Sequence, residues 1–146
     1  MKNLFLTVLF TLVSVFSFSQ QISVRVTELK DFVSSENLTA NEMMKVANFD
    51  SSSVRTVNGS YEFDLDTKTV SFKTRKSSGT SKVISSTEKN GIFTIVYEDS
   101  SVDGNKMNVT MVINPEKNKV FFTYYNPINK YTLAQDFTET QILVNK

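Results

Sequence analysis

The sequence predicts a mainly β protein, a single antiparallel sheet of about nine or ten strands curled into an up-and-down barrel or a sandwich, with one short helix. Three observations support this. Apolar and polar residues alternate along most segments after residue 20, as they do in strands with one buried face. Turn-forming pairs such as Asn-Gly and Asn-Pro recur between these segments. One segment, residues 39–48, has helical spacing instead.

The N-terminus has the features of a signal peptide. Lys2 supplies a positive charge, residues 4–16 are largely apolar, and Ser17 and Ser19 are small residues at the positions that a signal peptidase reads. We expect cleavage after Ser19, which leaves one β-rich domain without a membrane span; the alternative is an uncleaved anchor. The product is expected to be soluble and either periplasmic or extracellular, and the composition suggests a bacterial secreted protein. The predicted division is therefore residues 1–19 as signal peptide and residues 20–146 as domain.

Composition excludes several classes of function. The chain has 16 basic residues, one of them Lys2 in the signal segment, and 15 acidic residues, so the domain is close to neutral. Nucleic acid is therefore not an expected partner. The chain has no cysteine and no histidine, which excludes disulfides, a lipoprotein anchor, Ser-His-Asp catalysis and histidine-ligated zinc. We expect a protein that has no cofactor and is not an enzyme.

The first elements are a strand and a helix. Residues 20–26 alternate, with Ile22, Val24 and Val26 on one face, and residues 29–38 lose the alternation and predict a strand end and a loop. Thr39 and Glu42 have the spacing of a capping box, in which each side chain accepts a hydrogen bond from a free backbone N–H at the start of a helix. A helix is predicted at residues 40–48.

A three-stranded unit is predicted next. Asn58-Gly59 predicts a two-residue hairpin turn, because both residues tolerate positive φ. With a second turn at residues 67–68, Val54, Phe63 and Phe72 fall on one face, which we assign to the core. The other face then carries adjacent opposite charges: Arg55, Glu62 and Lys73.

The rest of the chain predicts further hairpins. Residues 77–81 predict a flexible turn, Asn90-Gly91 predicts a hairpin, and the alternating residues 107–113 predict a strand. The last two strands are predicted at residues 131–134 and 140–145.

The segment "NKVFFTYYNP", residues 118–127, is apolar on both faces. A four-residue loop at residues 115–118 places one apolar row in the core by pairing Ile113 with Val120, Met111 with Phe122, and Val109 with Tyr124. The other face carries Val112, Phe121 and Tyr125.

Three explanations fit this second apolar face. The helix near Met43 and Met44, or the segment around Leu29 and Phe32, could cover it. Alternatively, aromatic side chains could line a ligand cavity in a closed barrel. The third explanation is a docking surface for another protein. The candidate contacts with a ligand or a partner are Phe93, Tyr97, Met111, Phe121, Phe122, Tyr124 and Tyr125.

The order of elements, a strand, a helix and then many strands, is similar in architecture to intracellular lipid-binding and lipocalin-like barrels. The chain departs from the lipocalin pattern, because it has no Gly-x-Trp motif and no tryptophan. The resemblance implies a non-catalytic protein that holds a small apolar ligand inside the sheet. The alternative is a cell-envelope or surface module that docks on a protein through its outer aromatic residues.

Two acidic patterns could in principle form a hydrolytic or a metal site. The carboxylates at positions 62, 64 and 66 alternate along a strand, and a hydrolase that uses them is the third hypothesis, although a solvated strand face explains them more simply. The loop that begins at Asp99 partly resembles a calcium loop through Asp99, Ser101 and Asp103. It lacks the closing glutamate, since Thr110 occupies that position, and we expect no metal site.

Overall fold

The computed structural model describes residues 20–50, 52–75, 77–100 and 104–145, which form one helix and eight strands. The predicted signal segment, residues 1–19, lies outside the described residues. The elements are β1 (Gln21–Ser34), α1 (Ala40–Val46), β2 (Val54–Asp64), β3 (Thr69–Lys73), β4 (Ser78–Lys89), β5 (Ile92–Ser100), β6 (Lys106–Asn114), β7 (Lys119–Asn126) and β8 (Tyr131–Asn145).

The strands close into an up-and-down antiparallel barrel. Each strand pairs with its neighbours in sequence, and β8 pairs back with β1 along the whole of β1. Closure satisfies the backbone hydrogen bonds that an open sheet would leave at its edges. The predicted fold class is confirmed, as a barrel. The strands number eight because residues 58–59 and 135–139, predicted to connect strands, lie inside β2 and β8.

The β6–β7 hairpin has the predicted loop and register. Residues 115–118 form the turn, with Asn118 at φ +49°, and the side-chain oxygen of Asn114 accepts a hydrogen bond of 3.1 Å from the backbone N–H of Lys117. The predicted core pairs are observed: Ile113 with Val120, Met111 with Phe122, and Val109 with Tyr124.

The β4–β5 hairpin also turns where the sequence predicts. Asn90 and Gly91 have φ values of +54° and +74°, and Lys89 pairs with Ile92 on either side of them. Positive φ at both central residues is the property that makes Asn-Gly suitable for a two-residue hairpin.

The other Asn-Gly pair is not a turn, so the predicted hairpin at residues 58–59 is wrong. Asn58 has φ +47°, but Gly59 does not have positive φ, and both residues lie within β2. The β1–β2 ladder shifts register here, which identifies a β-bulge. Val54 and Phe63 therefore belong to one continuous strand, and they face opposite sides, since Phe63 is buried in the core and Val54 is exposed. Val54 is on the outside, 51% exposed, and Arg55 is on the side of the barrel interior.

The β2–β3 turn is longer than predicted. It spans residues 65–68, and the carboxylate of Asp64 accepts hydrogen bonds of 3.1 and 2.9 Å from the backbone N–H groups of Asp66 and Thr67. The register therefore differs by two residues from the predicted one, and Phe63 pairs with Val70. An even shift keeps every side chain on its predicted face. Three of those inward residues are observed inside: Phe63 and Val70, which are buried, and the half-buried Phe72.

Two segments predicted to be irregular are strands. β1 continues through residues 29–34, because a bulge between Val26 and Leu29 reverses the alternation while both residues stay buried. β4 begins at Ser78, so the turn predicted at 77–81 lies earlier. It closes with a hydrogen bond of 2.7 Å from the N–H of Thr74 to the carbonyl of Ser77. Pairing with β3 stabilises the polar start of β4 despite its low strand propensity.

Side chains fill most of the barrel interior. Strand alternation directs one apolar row from each strand inward, and burial of these rows is the main stabilising term of the fold. The buried core consists of Ile22, Val24, Val26, Leu29, Phe63, Val70, Val83, Phe93, Ile95, Tyr97, Val109, Met111, Ile113, Val120, Phe122 and Phe137.

Helix α1 covers the outside of β7 and β8, which confirms the covered-face explanation. Thr39 and Glu42 form the predicted capping box, and α1 begins at Ala40 as predicted. Met43 is fully buried in a second apolar cluster with Phe121 and Ala134, to which Phe32 and Phe49 also contribute. Phe121 is only 8% exposed as a result.

None of the helices in the described part of the chain has the length and apolarity that a bilayer-crossing helix requires.

The two Asn-Gly pairs should respond in opposite ways to loss of glycine. We expect Gly91→Ala to lower the free energy of unfolding by roughly 1–2 kcal/mol, because alanine is strained at positive φ. Gly59→Ala should be neutral or raise it by up to about 1 kcal/mol, because Gly59 lies in a strand and its nearest neighbour, the carbonyl oxygen of Lys73, would be 3.7 Å from the new Cβ. Urea denaturation of both variants measures this. Equal destabilisation would contradict the bulge.

Candidate functional site: the mouth of the barrel

The two ends of the barrel differ in chemistry. The end we call the base carries the turns at residues 65–68, 90–91 and 115–118, and apolar residues fill the barrel there. The end we call the mouth carries the β1–β2 connection with α1 and the turns at residues 74–77 and 127–130. Inward positions near the mouth carry polar and aromatic side chains. Within the barrel, the mouth therefore combines space with groups that could bind a ligand.

A cleft of about 300 Å³ opens at the mouth between β1, β2 and β8, and we call it the Arg55 cleft. Its walls combine apolar side chains with a few polar ones, the usual composition of small-molecule sites. The residues that line it are Val26, Leu29, Arg55, Thr56, Val57, Gly59, Tyr61, Thr74, Arg75, Gln135 and Phe137.

Hydrogen bonds fix the polar groups of this cleft. The guanidinium of Arg55 donates two hydrogen bonds, of 3.0 and 3.2 Å, to the carboxylate of Asp31. The amide of Gln135 donates a third, of 2.8 Å, to the same carboxylate. The pair is partly exposed, so it contributes little to stability. Its bidentate geometry instead holds Arg55 in one orientation and neutralises its charge.

A continuous row of aromatic rings lines the interior below the mouth. Tyr61 stacks on Phe137 at a centroid distance of 6.3 Å, and Phe137 stacks on Phe122 at 6.2 Å. Phe122 contacts Tyr124 edge-on at 5.9 Å, and Tyr124 contacts Tyr131 at 6.5 Å. Stacked and edge-on pairs at these distances stabilise one another, so the row forms a rigid apolar wall.

The phenol of Tyr97 has no hydrogen-bond partner among the described residues, although its side chain is buried with 1% exposure. Burial raises its pKa well above the ordinary value for tyrosine, and the nearby Tyr61 and Asp99 add to this. Burial likewise raises the pKa of Tyr61 to about 12, with a contribution from Asp99. Burial and a hydrogen bond with Tyr131 raise the pKa of Tyr124 to about 12. These phenols stay protonated at neutral pH and can donate hydrogen bonds.

The seven candidate contact residues lie in different places. Phe93 and Met111 are buried in the filled core. Tyr97 is the buried residue with the unpartnered hydroxyl, and Phe122 and Tyr124 belong to the aromatic row. The remaining two are on the outside: Phe121, which lies beneath α1, and the half-buried Tyr125.

None of the seven predicted contact residues lines the Arg55 cleft, and four of its lining residues show why. Arg55 was assigned to the outer charged face because of the wrong turn, and Gln135 and Phe137 fall in a segment read as a connection between strands. Tyr61 could have been found, because it lies two residues before the core residue Phe63 and so shares its face.

Neither acidic pattern forms a site within the described residues. Asp64 caps the β2–β3 turn, and the hydrogen bond from the backbone of Thr67 is the main cause that lowers the pKa of its carboxyl. Asp99 lies in β5, whereas Ser101 and Asp103 of the calcium-like loop lie outside the described residues. Among the residues that are described, no three acidic side chains come together as metal ligands would.

No protein-family model, no curated protein and no solved structure matches this chain significantly. Any functional inference therefore depends on the geometry of the mouth.

We expect Tyr97→Phe to raise the free energy of unfolding by about 1 kcal/mol, because it removes a buried hydroxyl that has no partner. Thr123→Val is the matched control. The buried hydroxyl of Thr123 donates a hydrogen bond of 2.8 Å to the carbonyl of Leu133, so its loss should lower the same quantity by about 1 kcal/mol. Chemical denaturation of both variants measures the contrast. Similar destabilisation by both would contradict the unpartnered state of Tyr97.

Proposed function

We propose that this protein is an exported, non-catalytic binding protein that holds a small, largely apolar ligand in the mouth of its barrel. The observation that carries the proposal is the Arg55 cleft, which combines an apolar wall with a few fixed polar groups. Its volume of about 300 Å³ is at the lower end of the range of small-molecule sites. Because side chains fill the base, the ligand occupies the mouth and not the full length of the barrel.

The chemistry of the cleft favours binding over catalysis. The chain has no histidine or cysteine to act as a base or nucleophile near neutral pH. The carboxylate of Asp31 already accepts hydrogen bonds from Arg55 and Gln135. The groups at the mouth can therefore orient a ligand by hydrogen bonds and apolar contact without reacting with it.

A protein-docking function has less support. It was based on the outer aromatic residues, and α1 buries Phe121 while Tyr125 is half-buried. The exposed apolar side chains on α1, those of Met44 and Val46, are two residues apart and so face different sides of the helix, without forming one extended patch.

Export is supported by the composition of the first 19 residues, with Lys2, an apolar stretch and a small-x-small sequence at Ser17–Ser19. We expect the mature protein isolated from its host to begin at Gln20. N-terminal sequencing, or the intact mass of the purified protein, measures this. A mature product that retains residues 1–19 would contradict export by cleavage.

Filling the Arg55 cleft should abolish ligand binding. We expect Val57→Trp to weaken binding of the neutral, apolar fluorescent probe N-phenyl-1-naphthylamine by about ten-fold or more, because the indole occupies the space of the probe. Titration of the probe, followed by its emission, gives the dissociation constant.

Val54→Trp is the matched control for this experiment. It introduces the same side chain into the same strand three residues away, at an exposed outward position, so probe affinity should stay within about two-fold of the wild type. Circular dichroism establishes that both variants are folded. Unchanged probe binding by folded Val57→Trp would show that the ligand does not occupy this cleft.

A further inference from the structure

A second cleft, of about 390 Å³, lies on the other side of Tyr61, between β2, β3, β4 and the end of β5. We call it the Asp99 cleft. Tyr61 and Thr74 line both clefts, so the two clefts adjoin at the mouth. Its walls differ from those of the Arg55 cleft: the aromatic rings of Tyr61 and Phe72, the carboxylate of Asp99, and the hydroxyls of Thr80 and Ser81.

Asp99 introduces a negative charge into this cleft. It is two residues after the buried Tyr97 on β5, so it shares the inward face, whereas its neighbour Glu98 faces outward and pairs with Lys106 at 3.2 Å. Among the described residues, no lysine or arginine forms an ion pair with Asp99. In the Arg55 cleft, by contrast, Asp31 neutralises Arg55, and the exposed Arg75 also lines that cleft.

The phenol of Tyr61 and the carboxylate of Asp99 lie together in the wall of this cleft. The charge of Asp99 also contributes to the raised pKa of Tyr61, after burial. A ligand that carries an N–H donor would satisfy the carboxylate and contact the phenol of Tyr61 together.

We propose that the Asp99 cleft receives a protonated amine, so that the ligand of this protein is an organic ammonium with an apolar body. The carboxylate of Asp99 is its counter-ion, and the ring faces of Tyr61 and Phe72 attract the cation. The apolar body lies in the adjoining Arg55 cleft. This inference rests on the proposed function and adds the chemical class of the ligand.

The charge of Asp99 favours a cation over the other simple classes of head group. A carboxylate would face Asp99 without a compensating cation, and like charges at short range repel. A bare metal ion needs several oxygen ligands, and no cluster of three acidic side chains exists in the described ranges of the chain. A neutral hydroxyl could hydrogen-bond to the cleft but would gain nothing from its charge.

Three probes with one alkyl chain and different head groups test the inference: n-octylammonium, n-octanol and n-octanoate, titrated at pH 7 by calorimetry or by displacement of N-phenyl-1-naphthylamine. We expect the ammonium probe to bind about ten-fold more tightly than the alcohol, and the carboxylate probe to bind most weakly. Equal affinity of the three, or preference for the carboxylate, would overturn the amine assignment while supporting a binding site at the mouth. Failure of all three to bind would instead contradict the proposed function.

Two variants test whether the preference for the ammonium probe depends on Asp99. Asp99→Asn should weaken octylammonium binding by about ten-fold and leave octanol binding within about two-fold, because it removes the charge and keeps the shape. Glu98→Gln removes the same charge from the adjacent, outward residue and should change neither affinity. If Asp99→Asn and Glu98→Gln have equal effects on the preference, the cation does not sit at Asp99.

Discussion

The arrangement of the mouth depends on a change of alternation where β1 and β8 pair. Val24 and Val26 face inward before the bulge, and Leu29 faces inward after it. The β1–β8 ladder is irregular at the same level, so that Leu29 lies opposite Phe137. Without this paired irregularity, even-numbered residues would continue inward, and Lys30 would enter the barrel in place of Asp31. A single local defect in two hydrogen-bonded strands thus separates an apolar base from a polar, aromatic mouth.

The same change of alternation explains why α1 lies where it does. Past the bulge, Phe32 of β1 and Ala134 of β8 face outward, beside Phe121 of β7, and these side chains need cover. Met43 supplies it from α1. The hydroxyl of Thr132 reinforces the packing, because it donates to the carbonyl of Glu36 and accepts from the N–H of Leu38, which ties the connection before α1 to β8. The bulge in β1 therefore determines both which side chains line the mouth and where α1 packs on the outside of the barrel.

The sequence could predict the turns and the helix cap that a few adjacent residues determine. The turn at Asn90-Gly91, the four-residue loop after Asn114 and the capping box at Thr39 each depend on a few adjacent residues, and all three are confirmed. Asn58-Gly59 has the same letters as a hairpin turn, but β1 pairs with β2 both before and after it and carries the strand through. That pairing depends on residues distant in the sequence, so it cannot be predicted from the Asn-Gly dipeptide itself.

The site was partly predictable for the same reason. Strict alternation placed Tyr97, Phe122 and Tyr124 inside the barrel, since they lie on regular stretches of β5 and β7, but none of the three lines the Arg55 cleft. It could not find Arg55, because its face was inferred from a turn that does not exist. Phe137 was equally hidden, because it follows an irregularity in the β1–β8 ladder. Period-two reasoning fails at bulges, and here the bulges adjoin the candidate site.

The aromatic row gives the protein an intrinsic optical reporter. The chain has no tryptophan, so its near-ultraviolet emission arises from tyrosine, and no indole is present to accept that excitation. Tyr61 begins the row at β2, and Tyr124 and Tyr131 end it at β7 and β8. One of the emitting groups, Tyr61, therefore lines both clefts of the mouth, and occupancy can be followed by spectroscopy in the unlabelled native chain.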